Sequence, residues 1–424
     1  MSGPAGVGES ALAQTCAEKV KEMGYLGVAF FFSINGRKDH RQFFVTLAYQ
    51  LSTVLSDYHR ILSKAVYNDK TLVTKRMGSQ FDSLIVRPLQ VLERRGKAVR
   101  QRVIFIDGLD ECEDTREGII KLIATSVCTK STPFRWAIFS RAEAHIRFTF
   151  EDELISPTTR IVELPIRSPH DDHEVEIYIR HEFRNILRRR NIPPTLSWPS
   201  DNDIKALVKA AAGLFAYAAA VLRYIDLSKA MRLEDVLHDV LNSVSHGGSG
   251  PFAGLDAFYM LIMQRIPEHI LLSAQLLLYY MQAVEFRRIT YLATASNGLG
   301  LSQLDFLGVY QYLHVVLRVH EYHEPLALPN NVNSSCSYLD QCHSFQNIIS
   351  LRRRALGVHG VIEFYHKSFY DFLRDPSRSL SFCVTTPTIR TKFFDRLVRC
   401  HHHFAQSYAI RENGTLLFTP LSSY

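Results

Sequence analysis

The eight residues from Leu26 to Ser33 read Leu-Gly-Val-Ala-Phe-Phe-Phe-Ser, an apolar run without a charge. A run this short and this apolar fits a β-strand covered on both faces, because a strand with one wet face would alternate with polar residues. Three later segments also read as strands: Val103-Ile-Phe-Ile-Asp107, Phe134-Arg-Trp-Ala-Ile-Phe-Ser140 and Arg160-Ile-Val-Glu-Leu164. Helical patterns fill the gaps, over 10–23, 39–56, 58–68 and 80–95 and from Glu117 to Cys128. Strands alternating with helices predict βα units around a parallel sheet.

Four apolar residues bring Asp107 to the C-terminal end of its strand, the edge where open α/β sheets gather ligands. A carboxylate there suits Mg²⁺ or its water shell. Asp110 and Glu111 follow in the loop, where either can orient or deprotonate an attacking water. A polar turn closing a strand accounts for the same residues, since Asp-Gly is a common turn pair. Ser140-Arg141 closes the next strand. Arg141 is placed to touch a γ-phosphate, although a surface arginine at a strand end is the simpler account of that dipeptide alone.

The chain begins with a second phosphate signal. Gly3-Pro-Ala-Gly6-Val-Gly8-Glu9-Ser10 follows the P-loop pattern G-x-x-x-x-G-K-[ST], with glutamate where the lysine belongs. Glycine lets backbone N–H groups approach phosphates closely, and the helix N-terminus behind the loop favours anions. The charge at Glu9 works the other way. Two unit charges ~4 Å apart at an effective dielectric of about 20 interact by roughly 4 kcal/mol, so reversing the sign changes the balance by roughly twice that before screening. Micromolar binding is worth only about 8 kcal/mol. A strand runs about five or six residues, and only Met1 and Ser2 precede Gly3. The strand that should feed the loop is therefore expected to be missing, its two neighbours facing an empty slot, and the chain reads as truncated at its N-terminus.

Beyond Pro165 the pattern turns helical, over 171–190, 201–227 and 233–243. His246-Gly-Gly-Ser-Gly-Pro251 is the clearest linker. Helical patterns over 254–265, 269–283 and 302–313 follow, then a strand-like pair, His314 to Val319 and Val361 to Tyr365, and a basic helix over 390–405. No internal repeat is present.

Composition excludes several classes. At 46% hydrophobic and 21% charged residues, the 424-residue chain has the balance of a folded soluble protein and the length of two or three domains. The longest apolar stretch, Ala210 to Leu222, lies between Lys209 and Arg223 and is too short to span a membrane. No secretory signal leads the chain, so it is expected in the cytoplasm. Its seven cysteines are odd in number and irregularly spaced, as free thiols of a reducing compartment are. Neither Cys336, Cys342 and His343 nor Cys400 with His401–His403 has zinc-finger spacing. The net charge of +7 is spread out rather than gathered into a face, so a nucleic-acid partner is the least favoured reading.

Taken in order, the Gly-rich loop, Phe30-Phe-Phe-Ser33, Thr46-Leu-Ala-Tyr-Gln-Leu51, Ile106-Asp-Gly-Leu-Asp-Glu-Cys112 and Phe139-Ser-Arg141 resemble the NACHT domain of STAND-class P-loop NTPases. The resemblance is strongest to the fungal, nephrocystin-type branch. Gly213-Leu-Phe-Ala-Tyr-Ala218 resembles that branch's helical motif, and Phe364-Tyr-His-Lys-Ser-Phe-Tyr-Asp-Phe-Leu373 its winged-helix motif. The fold implied is α/β: a P-loop NTPase parallel sheet lacking its first strand, followed by an all-helical segment and a winged-helix-like domain. The boundaries are 1–166 for the NTPase core, 167–245 for the helical domain, 252–380 for the winged-helix-like domain with a loop inserted at about 321–359, and 381–424 for a terminal helix and tail.

What the resemblance implies is a signalling switch that holds ADP when closed, exchanges it for ATP, opens and oligomerises with protein partners. In fungi such proteins are associated with non-self recognition and cell death. It gives Gly3, Gly6 and Gly8 to the phosphate cradle, Glu9 to the lysine position, and Ser10 and Asp107 to Mg²⁺. Asp110 or Glu111 assists water, Arg141 senses phosphate, and His366 closes over the nucleotide; the alternative for His366 is a satisfied core histidine. Two other functions stay open: a pseudo-NTPase scaffold that has lost its ligand, and, more weakly, nucleic-acid binding through the winged helix. ATP hydrolysis is left open, at most weak.

Overall fold

The computed structural model describes residues 1–35, 39–97, 99–112, 115–164, 169–192, 198–228, 232–245, 250, 252–283, 290–321 and 360–408. It divides into two units, Met1–Ile166 and Arg167–Tyr424.

The first unit is built on parallel strands. β1 (Ser2–Gly3) leads into α1 (Glu9–Glu22), then β2 (Leu26–Phe31), α2 (Phe43–Val54), α3 (Ser56–Asn68), α4 (Met77–Gln80) and α5 (Arg87–Arg94). β3 (Arg102–Asp107), α6 (Arg116–Cys128), β4 (Phe134–Ile138), β5 (Ser140–Arg141) and α7 (Ala144–Glu151) complete it. β3 lies between β2 and β4, with Phe31 opposite Asp107 and Ile106 opposite Ile138. β5 pairs with β1, Ser2 opposite Ser140.

Both faces of this sheet are covered, as the apolar runs require. Val28, Phe30 and Phe32 with Ile104 and Ile106 join one cluster that includes Phe43, Phe44 and Leu47 of α2. The alternate residues Phe105 and Phe139 pack against Ala13 and Ala17 of α1 on the other face, joined by Ala29 and Phe31. The small side chains of α1 let that helix lie close to the strands and carry the loop that precedes it.

The expected empty slot is corrected. Its loop end is filled by the first three residues: the Met1 amine donates to the carbonyl of Ile138 at 2.6 Å and Ser140 N–H to the carbonyl of Met1 at 3.2 Å. On the other side Ser2 N–H donates to Val162 at 2.9 Å and Leu164 N–H to Ser2 at 2.8 Å. The strand predicted over Arg160–Leu164 shrinks to one parallel bridge, Ser2 to Glu163. A two-residue partner cannot order a longer neighbour, and Ile161 remains 48% exposed.

The helix expected over 80–95 has a π-helical stretch, Phe81–Val86, between α4 and α5. Pro88 explains the irregularity. It has no N–H to give the Leu84 carbonyl, and the buried hydroxyl of Tyr58 donates to that carbonyl instead, at 2.5 Å.

The second unit is mostly helical: α8 (Pro169–Arg189), α9 (Asp201–Ala211), α10 (Phe215–Leu227), α11 (Leu233–Ser245), α12 (Ala253–Gln264), α13 (Glu268–Ala283), α14 (Leu292–Gly298) and α15 (Gln303–Leu313). An antiparallel pair follows, β6 (Leu317–Glu321) and β7 (Gly360–Phe364), Leu317 opposite Phe364. α16 (Lys367–Arg374), α17 (Pro376–Ser379) and α18 (Pro387–Tyr408) end it. The single helix expected over 201–227 is two, broken where Ala212 and Gly213 take left-handed φ angles of 50° and 82°. The loop expected at about 321–359, with Cys336, Cys342 and His343, lies outside the described residues beyond Glu321. The five described cysteines carry free thiols. No helix among the described residues is long and apolar enough to cross a membrane.

Candidate functional site at the loop before α1

The loop runs from Gly3, at the end of β1, to Gly8, which caps α1. Gly8 has φ 93° and offers no side chain to the first turn of the helix. Only glycine adopts that angle without steric cost. Those first N–H groups therefore remain donors at the positive end of the helix dipole, which favours an anion. Gly3 is fixed by crowding, since a Cβ there would come within 3.0 Å of Val7 Cγ2 and 3.2 Å of Glu9 Oε1.

Glu9, the first residue of α1, turns its carboxylate back to the start of the loop, beside Gly3. Its Oε1 is buried and has no hydrogen-bond partner. Burial, then the nearby carboxylates of Asp110 and Asp107, push its pKa up to about 7, opposed by the Gly3 N–H and more weakly by Arg141. Burial also lowers the Met1 amine, which the Glu9 charge partly offsets. A negative end group suits a helix N-terminus, so local helix electrostatics favour Glu9 even though phosphate chemistry does not.

Asp107 stands at the end of β3, 4% exposed. Burial raises its pKa, and the nearby hydroxyl of Ser10 opposes the shift. The second residue of α1 thus faces the strand end across the base of the loop. Gly108, with φ 68°, turns the chain into the short 3-10 helix Leu109–Glu111.

The two carboxylates expected to assist water each accept a backbone N–H. Asp110 Oδ1 accepts the Arg141 N–H at 3.1 Å, and its Oδ2 lies 3.5 Å from Arg141 Nε. Glu111 Oε2 accepts the Ile34 N–H at 2.8 Å, tying down the chain beyond β2. Arg141 is correspondingly paired with Asp110 rather than free for a phosphate. Gly3, Gly8, Glu9, Ser10, Asp107, Asp110 and Arg141 thus share one neighbourhood, with Glu111 at its margin. Among the described residues no cluster of three or more His, Cys, Asp or Glu could hold a metal by itself.

His366 belongs to the second unit. Its Nδ1 accepts the Ser368 N–H at 3.1 Å and lies 2.6 Å from Ser368 Oγ, so it caps α16. Ser368 Oγ is in turn 2.7 Å from the hydroxyl of Tyr259. One feature of this unit escaped the sequence reading. Arg223 is surrounded by tyrosines, and its only signal was its position as the charged end of a long apolar run.

Residues 1–141 match the family described as nephrocystin 3, N-terminal. No curated protein matches the chain. Among solved structures, the RuvB K64R mutant of Thermotoga maritima aligns over 73% of this chain and 86% of its own, at 15% identity and a TM-score of 0.26. At that score the two chains need not share an arrangement of elements. The similarity that falls on the site is the family match over the first 141 residues, which spans the loop, Asp107 and Arg141.

Proposed function

We propose that the first unit is a nucleotide-binding module of P-loop descent, and the whole chain a STAND-type ATP/ADP switch of the NACHT kind, weakened at its loop. One observation carries the reading: the Ser10 hydroxyl, in the first turn of α1, lies near enough to the buried Asp107 carboxylate to act on its charge. A hydroxyl from the first turn after a Gly-rich loop, held against an aspartate at the end of a parallel strand, is the pair that takes Mg²⁺ in P-loop NTPases. These two residues fit a divalent cation, which would screen phosphate charge. The loop glycines and the open end of α1 would face the phosphates, Arg141 would turn from Asp110 to a γ-phosphate, and His366 would close over the nucleotide. The finer parts of the reading, a winged-helix-like second unit, oligomerisation with protein partners and a signalling role in fungi, rest on the sequence resemblance.

Glu9 does not fit a polyphosphate, and it favours a second reading: a scaffold of the same descent without a ligand. One titration separates them. Mg-ATP and Mg-ADP are titrated into the wild type and into Glu9→Lys. The switch reading expects measurable wild-type binding and a gain of at least about tenfold in the lysine variant, a small part of the unscreened charge reversal. If neither protein binds in excess Mg²⁺, the nucleotide reading is wrong and the scaffold stands. If both bind equally, Glu9 is not what weakens the site.

A further inference from the structure

The second unit holds a cation whose charge no ion pair among the described residues balances. Arg223 projects from α10 into a space shared with Tyr178 of α8, Tyr259 of α12 and Tyr365, the residue after β7. Its guanidinium carbon lies 3.7 Å from the centroid of the Tyr365 ring. Nη1 donates to the carbonyl of Val315 at 3.0 Å. No carboxylate among the described residues forms an ion pair with it. Its neighbours are the three neutral phenols and Arg318, which repels it. Arg318 is itself satisfied by Glu363 at 2.6 Å.

A guanidinium has five N–H donors in one plane. A ring stacked on its face leaves the edge donors unused, and one carbonyl takes only one of them. Burying a charge without a counter-ion is costly, and the usual remedy is a partner of opposite sign. The side chain also keeps an intermediate exposure to solvent, so the place is not sealed. A planar fork held flat by an aromatic ring is pre-organised for a bidentate oxyanion. The free edge of the fork offers two parallel donors, which suits two oxygens of one phosphate group.

We propose that Arg223 anchors an anion site in the second unit that takes a phosphate-bearing small molecule. The guanidinium edge binds two phosphate oxygens while Tyr365 holds the plane in place. The hydroxyl of Tyr178 makes no hydrogen bond within the described residues and supplies a further donor. Its residues all belong to the second unit, and the proposal does not depend on nucleotide binding at the loop before α1.

The test is equilibrium dialysis of the full chain against labelled inorganic phosphate without Mg²⁺, at constant ionic strength, with a parallel arm using AMP. Arg223→Met is expected to lower phosphate affinity at least tenfold. Its thermal midpoint in chloride alone should match or exceed that of the wild type, because methionine keeps the apolar stem and removes the unbalanced charge. Arg223→Lys keeps the charge and the ring contact but loses the fork. It should fold and still lose severalfold in affinity, which carries the test if the methionine variant unfolds. Glu9→Lys should leave this site intact. Tighter binding of AMP than of phosphate assigns the ligand to a nucleoside monophosphate, and equal binding to the phosphate group alone. Wild-type phosphate affinity retained in both Arg223 variants, or no phosphate binding by the wild type, overturns the proposal.

Discussion

Glu9 shows how one side chain can suit a helix and oppose a ligand. Its carboxylate ends α1 at the favourable pole of the helix dipole, yet burial and the charges of Asp110 and Asp107 hold its pKa at about 7 against an ordinary 4.5. A carboxyl group whose pKa is raised on folding destabilises the folded state once ionised. The penalty is absent below about pH 4.5, grows as pH rises, and is complete above about pH 7. Glu9→Gln should therefore stabilise the protein at pH 8, by on the order of 1 kcal/mol after solvent screening, and change little at pH 4. Urea denaturation at the two pH values measures this, and an equal gain at both would assign the effect to shape rather than charge. Gly8→Ala should cost about 1–2 kcal/mol in the same assay, because φ 93° is closed to an L-side chain. Calorimetry of the pair would show the loss.

At the scale of elements, local chemistry explains both the regular ends and the breaks. α9 and α15 begin in full capping boxes, Ser200 with Asp203 and Ser302 with Asp305, and they start where the apolar periodicity places them. Ser302→Ala should cost about 1 kcal/mol in chemical denaturation. The π-helical stretch before α5 is different in origin, since it depends on a residue far away in sequence. Tyr58→Phe leaves the Leu84 carbonyl buried without its donor, beside a proline that cannot supply one. We expect a loss of about 1–3 kcal/mol. Hydrogen exchange should show the amides of 81–86 opening more readily than in the wild type; unchanged protection there would mean the phenol does not hold the turn.

At the scale of the whole first unit, the sheet is a partition between unequal layers. One side is thick and aromatic: Phe43 lies 5.1 Å from Phe30, 5.3 Å from Phe32 and 4.8 Å from Phe44, ring centre to ring centre. The other is thin, with Ala13 and Ala17 letting α1 approach Phe105 and Phe139. Phe43 is fully buried, so Phe43→Ala should cost about 3–5 kcal/mol, read by the urea midpoint. Because that cluster lies on the sheet face opposite α1, the same variant should leave the geometry of the loop intact in whatever fraction stays folded. The nucleotide titration of that folded fraction would then match the wild type.

The sequence by itself determined the buried strands of this unit, their parallel arrangement and the helices that cover them. Each of those signals is local: an apolar run without alternation, a 3.6-residue period, a glycine where the angle demands one. It also placed Gly3, Gly8, Ser10, Asp107 and Arg141 at strand and helix ends, where the fold gathers them. Tertiary structure alone decided the rest, because partners distant in sequence did. The first three residues could fill a slot only once residues 138–141 and 162–164 stood on either side of them. The backbone partners of Asp110 and Glu111, the Arg141 and Ile34 N–H groups, reached them only in the folded chain. The Tyr58 hydroxyl found the Leu84 carbonyl, and Arg223 met three tyrosines and, among the described residues, no acid, for the same reason. A periodic pattern states which face of an element is buried; what waits on the far side of that face is fixed only when the chain closes on itself.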